Sequence, residues 1–128
     1  MSAFKALVQN SSDVISLVSP EGLVLFASTA CESVLGYSPF ELVGRQSIEF
    51  IHPEDLRSSQ RTFQRVLARA RNCRRIQTRV RHKHGHWCWM ESTITNLLDE
   101  AQLMGVVVNC REISHRQIVS EARRQAES

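Results

Sequence analysis

RRIQTRVRHKHGHWCWMESTIT, residues 74–95, holds two runs of alternating apolar and polar residues on either side of Gly85. Alternation at period two marks strands buried on one face, and a glycine between two such runs marks a hairpin. Its register decides which side chains reach the core, because a slip of one residue sends every side chain to the opposite face. A two-residue turn at His84-Gly85 sets Val80 against Trp89 and Thr78 against Glu91, and leaves Arg79 opposite Met90, mixing charge with core. A three-residue loop with Gly85 in the left-handed conformation sets Val80 against Met90, Thr78 against Ser92 and Ile76 against Ile94. On the other face it pairs Arg81 with Trp89 and Arg79 with Glu91. Good cross-strand pairs contribute roughly 0.2–1 kcal/mol each. The second register places apolar groups together and charge against ring or opposite charge, and it is the one expected.

The same stretch carries His82, His84, His86 and Cys88. In the expected register His84 and His86 sit at an exposed tip, and only His82 and Cys88 converge on the inner face. Zinc requires four ligands, or three and a water. The cluster therefore reads as a cationic hairpin tip, with no metal expected.

Upstream, DVISLVS and GLVLFAS flank Pro20-Glu21-Gly22, a second hairpin signature. Between Ser28 and Asp55 the chain is dense in helix punctuation: Ser38 can cap, Pro39 takes the first helical position, and Glu41 closes a capping box. A longer helix follows, opened by Pro53 with Glu54 and Asp55 near the positive end of its dipole. Its helical period puts Leu56, Phe63, Val66, Leu67 and Ala70 on one face, with Arg57, Arg61, Arg65 and Arg69 opposite. Past the acidic turn Asp99-Glu100, QLMGVVVNCREI reads as a last strand. An exit helix starts at Ser114, with Gln117 as its capping-box partner and Ile113 stapled onto Ile118. Its continuation is mostly polar, so it is expected to pair with another chain or lead onward. The boundaries predicted are a flanking helix at 1–12, one domain at 13–113 and a connector at 114–128.

Composition sets limits. The 128 residues, 42% hydrophobic, suit one compact domain. No apolar run reaches the 18 residues of a membrane span, and MSAFKALVQN lacks the layout of a signal peptide, so a cytoplasmic location and no membrane insertion are expected. Cys31, Cys73, Cys88 and Cys110 show no C-x-x-C spacing, which fits reduced thiols. Residues 56–90 hold ten Lys or Arg and no acid, although the whole chain is only +3. Such a block reads as a solvated face or as a surface for an acidic partner. No nucleophile–base or carboxylate pair converges, so no enzymatic activity is expected.

Four segments in order resemble one family: FKALVQNSSDVISLVSPEGLVLFAS, LGYSPFELVGRQSIEFIHPEDL, RVRHKHGHWCWMEST and GVVVNCREISHRQ. The chain resembles the PAS domain with its PAC segment, found in bacterial sensor proteins. The resemblance implies an α+β fold: a five-stranded antiparallel sheet in the order 2-1-5-4-3, with short helices and one longer helix on one face. It implies a sensing or dimerising role.

Asn109-Cys110-Arg111 is similar to the opening of the flavin-attaching motif of light-sensing relatives. That motif lies ahead of the long helix, whereas here the matching RQSIEF has no cysteine. Haem-binding members use a histidine on the long helix, and residues 55–72 contain none. Neither flavin nor haem is expected. His52 is read as part of helix initiation, in HPED.

What remains is a cavity between sheet and helices, either occupied by an unidentified small molecule or filled by side chains, with no cofactor predicted. Its expected lining is Phe63, Val66 and Leu67 from the helix, Ile76, Thr78, Val80, Met90, Ser92 and Ile94 from the hairpin, and Val107 and Asn109 from the last strand. Thr78, Ser92 and Asn109 need partners there. A ligand supplies them, or Thr78 and Ser92 bond each other. Trp87 and Trp89 on the outer face call for a cover, either the N-terminal helix through Phe4, Leu7 and Val8 or a second copy, and a homodimer is expected. The reading is thus a PAS sensor or dimerisation module of a larger signalling protein, foremost a sensor histidine kinase, with a diguanylate cyclase or transcriptional regulator behind it, relaying its state through Ile113, Ser114, Gln117 and Ile118 to a linked output domain. The alternative is binding of nucleic acid or an acidic protein through the arginine-rich helix face.

Overall fold

A computed structural model describes residues 8–113. Phe4, Leu7, Ser114, Gln117 and Ile118 lie outside the described residues. The chain runs β1 (Val14–Val18), β2 (Val24–Ala27), α1 (Ala30–Leu35), α2 (Pro39–Leu42), two short 3-10 turns (Ser47–Phe50 and Pro53–Asp55), α3 (Leu56–Leu67), β3 (Cys73–Arg81), β4 (Trp87–Leu97) and β5 (Gly105–Glu112). The strands form one sheet in the order β2-β1-β5-β4-β3, every pair antiparallel, as the resemblance implies.

Local chemistry accounts for the elements. Gly22, at φ +89°, turns β1 into β2, and its N–H donates to the Ser19 carbonyl at 2.9 Å. Glu41 accepts the Ser38 N–H at 3.0 Å, and Pro39 opens α2. The arginines of α3 are exposed; Val66 is buried, and Leu56, Phe63 and Leu67 are half-buried. Ala70 departs from the expected apolar face: α3 ends at Leu67 and Ala70 is exposed. The helix stops where Asn96, buried in β4, donates from its amide to the carbonyls of Val66 at 3.1 Å and Arg69 at 3.0 Å, satisfying groups a helix end leaves orphaned.

The β3–β4 hairpin has a three-residue loop, but its register differs from the expected one by two residues. Val80 faces Cys88 rather than Met90, Thr78 faces Met90 rather than Ser92, and Ile76 faces Ser92 rather than Ile94. On the outer face Arg79 faces Trp89, Arg81 faces Trp87, and Gln77 faces Glu91. His82 and His86 close the ladder, with the His82 N–H on the His86 carbonyl at 2.8 Å. The loop is therefore Lys83-His84-Gly85, with Gly85 at φ +103° as its last residue, where a turn-plus-bulge loop places its left-handed position. A slide of two residues preserves parity, so Thr78, Val80, Met90, Ser92 and Ile94 remain on the inner face.

Edge strand β3 is partly covered. Ile51 bridges Val80, and the His52 N–H donates to the Arg79 carbonyl at 2.9 Å. The Arg79 guanidinium reaches Asp55 at 2.9 Å and Glu54 at 3.1 Å, and Asp55 also accepts the Arg79 backbone N–H at 2.8 Å. Asp55 thus does more than complement a helix dipole: it latches the start of α3 to β3.

Candidate functional site: the cavity between sheet and helices

The inner face of the sheet, the segment from Leu35 to Ile51, and α3 enclose a cavity of about 360 Å³. The sheet contributes Val14, Ser16 and Val18 from β1, Val24 from β2, Ile76, Thr78 and Val80 from β3, Ser92 and Ile94 from β4, and Val108 and Cys110 from β5. Tyr37, Leu42, Phe50 and Ile51 wall the far side, and α3 supplies Ser59, Gln60, Phe63 and Gln64. The exposed lining residues Glu21, Gln46, Ile48, Gln60 and Gln64 form the rim.

The interior is apolar with few polar groups. Tyr37 turns its hydroxyl away, donating to the Arg81 carbonyl at 3.0 Å. Ser92 Oγ and Cys110 Sγ share a 2.9 Å hydrogen bond, and burial pushes the Cys110 thiol up against the opposing pull of that bond. Thr78 is 2% exposed and lines the cavity, and its hydroxyl has no hydrogen-bond partner among the described residues. Aside from rim Glu21, no carboxylate, lysine, arginine or histidine among the described residues lines the space. An ion placed there would lack a counter-charge, which strongly disfavours charged ligands.

Of the lining expected from sequence, Phe63, Ile76, Thr78, Val80, Ser92 and Ile94 come together around the cavity. Val66 and Met90 do not reach it; both are 0% exposed, Val66 packed with Ile94 and Val106, and Met90 in the larger core with Cys31, Leu35 and Phe50. Leu67 packs beside Val66, away from the space. Val107 and Asn109 lie on the opposite face of the sheet. The pairings Ile94↔Val108 and Ser92↔Cys110 turn Val108 and Cys110 inward instead. Asn109 shares a polar hollow on that outer face with Asp13, Glu91, Thr93 and Arg111. The alternative bond between Thr78 and Ser92 is not formed, since Thr78 stands opposite Met90 and Ser92 bonds Cys110. Sequence reasoning missed the residues of 35–51 because that segment has no period to read. Its only signal is the density of large apolar groups around short caps.

Trp89 lies under the Arg79 guanidinium, 5.1 Å from ring centroid to carbon. Trp87 meets the His52 ring at 4.6 Å between centroids, the planes tilted by 57°, and keeps 41% exposure. These two contacts supply part of the cover that the tryptophans require. Val8 is buried. His52 Nδ1 accepts the Glu54 N–H at 3.0 Å, in keeping with helix initiation. At the hairpin tip the rings of His82 and His86 stack at 4.3 Å, so His82 sits across from His86 and not from Cys88 as expected. Burial against α1 and the neighbouring His86 and His84 hold the His82 imidazole below its ordinary value. Among the described residues no group of three or more His, Cys, Asp or Glu is arranged to hold a metal. None of their helices is long and apolar enough to cross a membrane.

A sequence model of the PAS fold matches residues 24–109. The chain is 33% identical over 93 residues to the blue light receptor lreA of Aspergillus flavus, covering 69% of the chain and 10% of the receptor. It is 34% identical over 88 residues to the White collar 1 protein of Neurospora crassa, covering 69% and 7%. It is 29% identical over 83 residues to the aryl hydrocarbon receptor nuclear translocator homolog of Drosophila melanogaster, covering 65% and 13%. The chain therefore spans about a tenth of the length of these relatives. Among solved structures, the PAS domain of an HTR-like protein from Haloarcula marismortui superposes with a TM-score of 0.72 at 20% identity, over 86% of this chain and 88% of that one. The Drosophila melanogaster Cycle PAS-B domain with bound ethylene glycol gives 0.70 at 20% identity, over 78% and 99%.

Proposed function

The chain belongs to the PAS fold family, and from that premise we propose that it is a sensor module that binds a neutral, mainly apolar small molecule between its sheet and α3. The observation that carries this reading is the apolar cavity of about 360 Å³ with Thr78, whose hydroxyl has no hydrogen-bond partner among the described residues, in its lining. A volume of that size suits a small ligand, and one with a single donor or acceptor would satisfy Thr78. The relative named as a blue light receptor does not extend the proposal to photochemistry, since the segment matching the flavin-attaching motif, RQSIEF, has no thiol.

The mechanism is a population shift. A ligand favours one packing of sheet and helices by no more than its differential affinity for the two. The exit of the chain is tied to the cavity wall: the Ile113 N–H donates to the Trp89 carbonyl at 3.0 Å, on the strand that carries Ser92 and Ile94. A change in the set of β4 is thereby passed to the segment that follows Ile113. The host is a larger cytoplasmic signal-transduction protein, the output proposed is a sensor histidine kinase, and the module acts as a homodimer. A full-length chain without a kinase domain would remove that output and leave the sensing proposal standing.

Native mass spectrometry of the purified domain should show a bound small molecule and a dimer. Binding of the recovered compound, or of hits from a library of neutral amphipathic molecules, should weaken about tenfold in Thr78→Val, equivalent to about 1.4 kcal/mol. Ile94→Trp, which fills the space, should abolish it. Unchanged binding in Ile94→Trp, or a domain that binds nothing in the library, would overturn the proposal.

A further inference from the structure

The positive block at residues 56–90 plays no part in the cavity. Arg57, Arg61 and Arg65 on α3, with Arg69 in the turn that follows, are all exposed. On α3, four-residue spacing at 1.5 Å per residue sets Arg57, Arg61 and Arg65 roughly 6 Å apart along roughly 12 Å, each step turning roughly 40° about the axis, and Arg69 follows in the turn beyond the helix. The acids that might neutralise them are engaged elsewhere: Glu54 and Asp55 with Arg79, Asp99 and Glu100 with Arg71, Glu91 with Arg75 and Arg111, Glu49 with Arg45, and Glu41 with Lys83. None of the four arginines of the row forms an ion pair among the described residues. The other exposed residues between Arg57 and Arg69 are Ser58, Gln60, Gln64 and Ala68, none of them acidic or aromatic.

We propose that this row docks an acidic helix of a partner protein, one bearing Glu or Asp at four-residue intervals. The two helices share a period, so every arginine meets a carboxylate, and the planar guanidinium fork matches a carboxylate bidentately. The shape favours a helix over nucleic acid. Single strands are held by aromatic platforms, which the surface lacks. A duplex carries one charge per roughly 1.7 Å of axis over two strands, which one convex row of single side chains does not span. Exposed ion pairs are individually weak, so docking is reversible and weakened by salt. The proposal is independent of the cavity reading.

The test is fluorescence anisotropy of the full chain with a labelled Ala/Gln-based helical peptide carrying glutamates at four-residue intervals. A peptide of equal composition with scattered glutamates and a labelled DNA duplex are run beside it. The spaced peptide should bind at least about tenfold tighter than the scattered one and weaken as salt rises. Replacing Arg57, Arg61, Arg65 and Arg69 together by Gln should remove binding while the melting temperature is kept. Arg61→Glu should lose the peptide and regain it when the facing glutamate is lysine. Equal binding of the two peptides, tighter binding of the duplex, or binding retained by the quadruple variant would each overturn the proposal.

Discussion

Asn96 is 3% exposed, and its side chain bonds three backbone groups: the carbonyls of Val66 and Arg69 and the N–H of Leu98. It ends α3 and fixes that end to β4. Asn96→Ala would strand buried carbonyls, and urea denaturation should show a loss of about 1–3 kcal/mol. Strand alternation with Ser92 and Ile94 places Asn96 inward, but nothing local says that a helix end waits there, since its partners lie about 30 residues away. The cysteines divide in the same way. Burial, with Glu32 nearby, pushes the Cys31 thiol up to about 11; burial likewise raises Cys88 and Cys110, whereas Cys73 is exposed. A thiolate-selective reagent at pH 8 should label Cys73 promptly in the native domain and the other three only after unfolding, as mass spectrometry of the labelled protein would show.

The latch between the start of α3 and β3 rests on Asp55 and Arg79. The hydrogen-bonded Arg79 guanidinium holds the Asp55 carboxyl below its ordinary value of 3.8, against the opposing effect of burial. A depressed carboxylate adds stability that is complete above its unfolded value and is lost as pH falls through the folded one. Denaturation midpoints of the wild type should therefore fall below about pH 4, and Asp55→Asn should be less stable at neutral pH with a flatter profile. An unaltered acid profile in Asp55→Asn would assign the acid sensitivity to other carboxylates. Pro53 and the acids after it mark a helix start in the sequence. That one acid also grips an edge strand was not legible, because the pairing closes across 24 residues. The β3–β4 hairpin shows the complementary case. Its faces follow from local alternation, yet its register slid by two, because both registers satisfy that alternation and only the closing turn tells them apart.

β5 lies between β1 and β4, whereas β2 and β3 form the edges of the sheet. Amides of β5 and of the facing parts of β1 and β4 should exchange slowest in native-state hydrogen exchange, with the hairpin tip at 82–86 and the loop at 98–104 fastest. Slow exchange confined to α3 would contradict a sheet-centred core. The alternating runs, the glycines at the turns and the caps at Ser38 and Pro53 determined by themselves that the chain makes two hairpins, short helices, one longer helix and a last strand, and which face of the β3–β4 hairpin turns inward. Only the tertiary structure decided that Val108 and Cys110, and not Val107 and Asn109, face the cavity, and that Leu35–Ile51 supplies its far wall. In GVVVNC apolar residues fall on both parities, so period two carries no choice there; pairing with β1 and β4 makes it, through contacts that exist only once the sheet has formed.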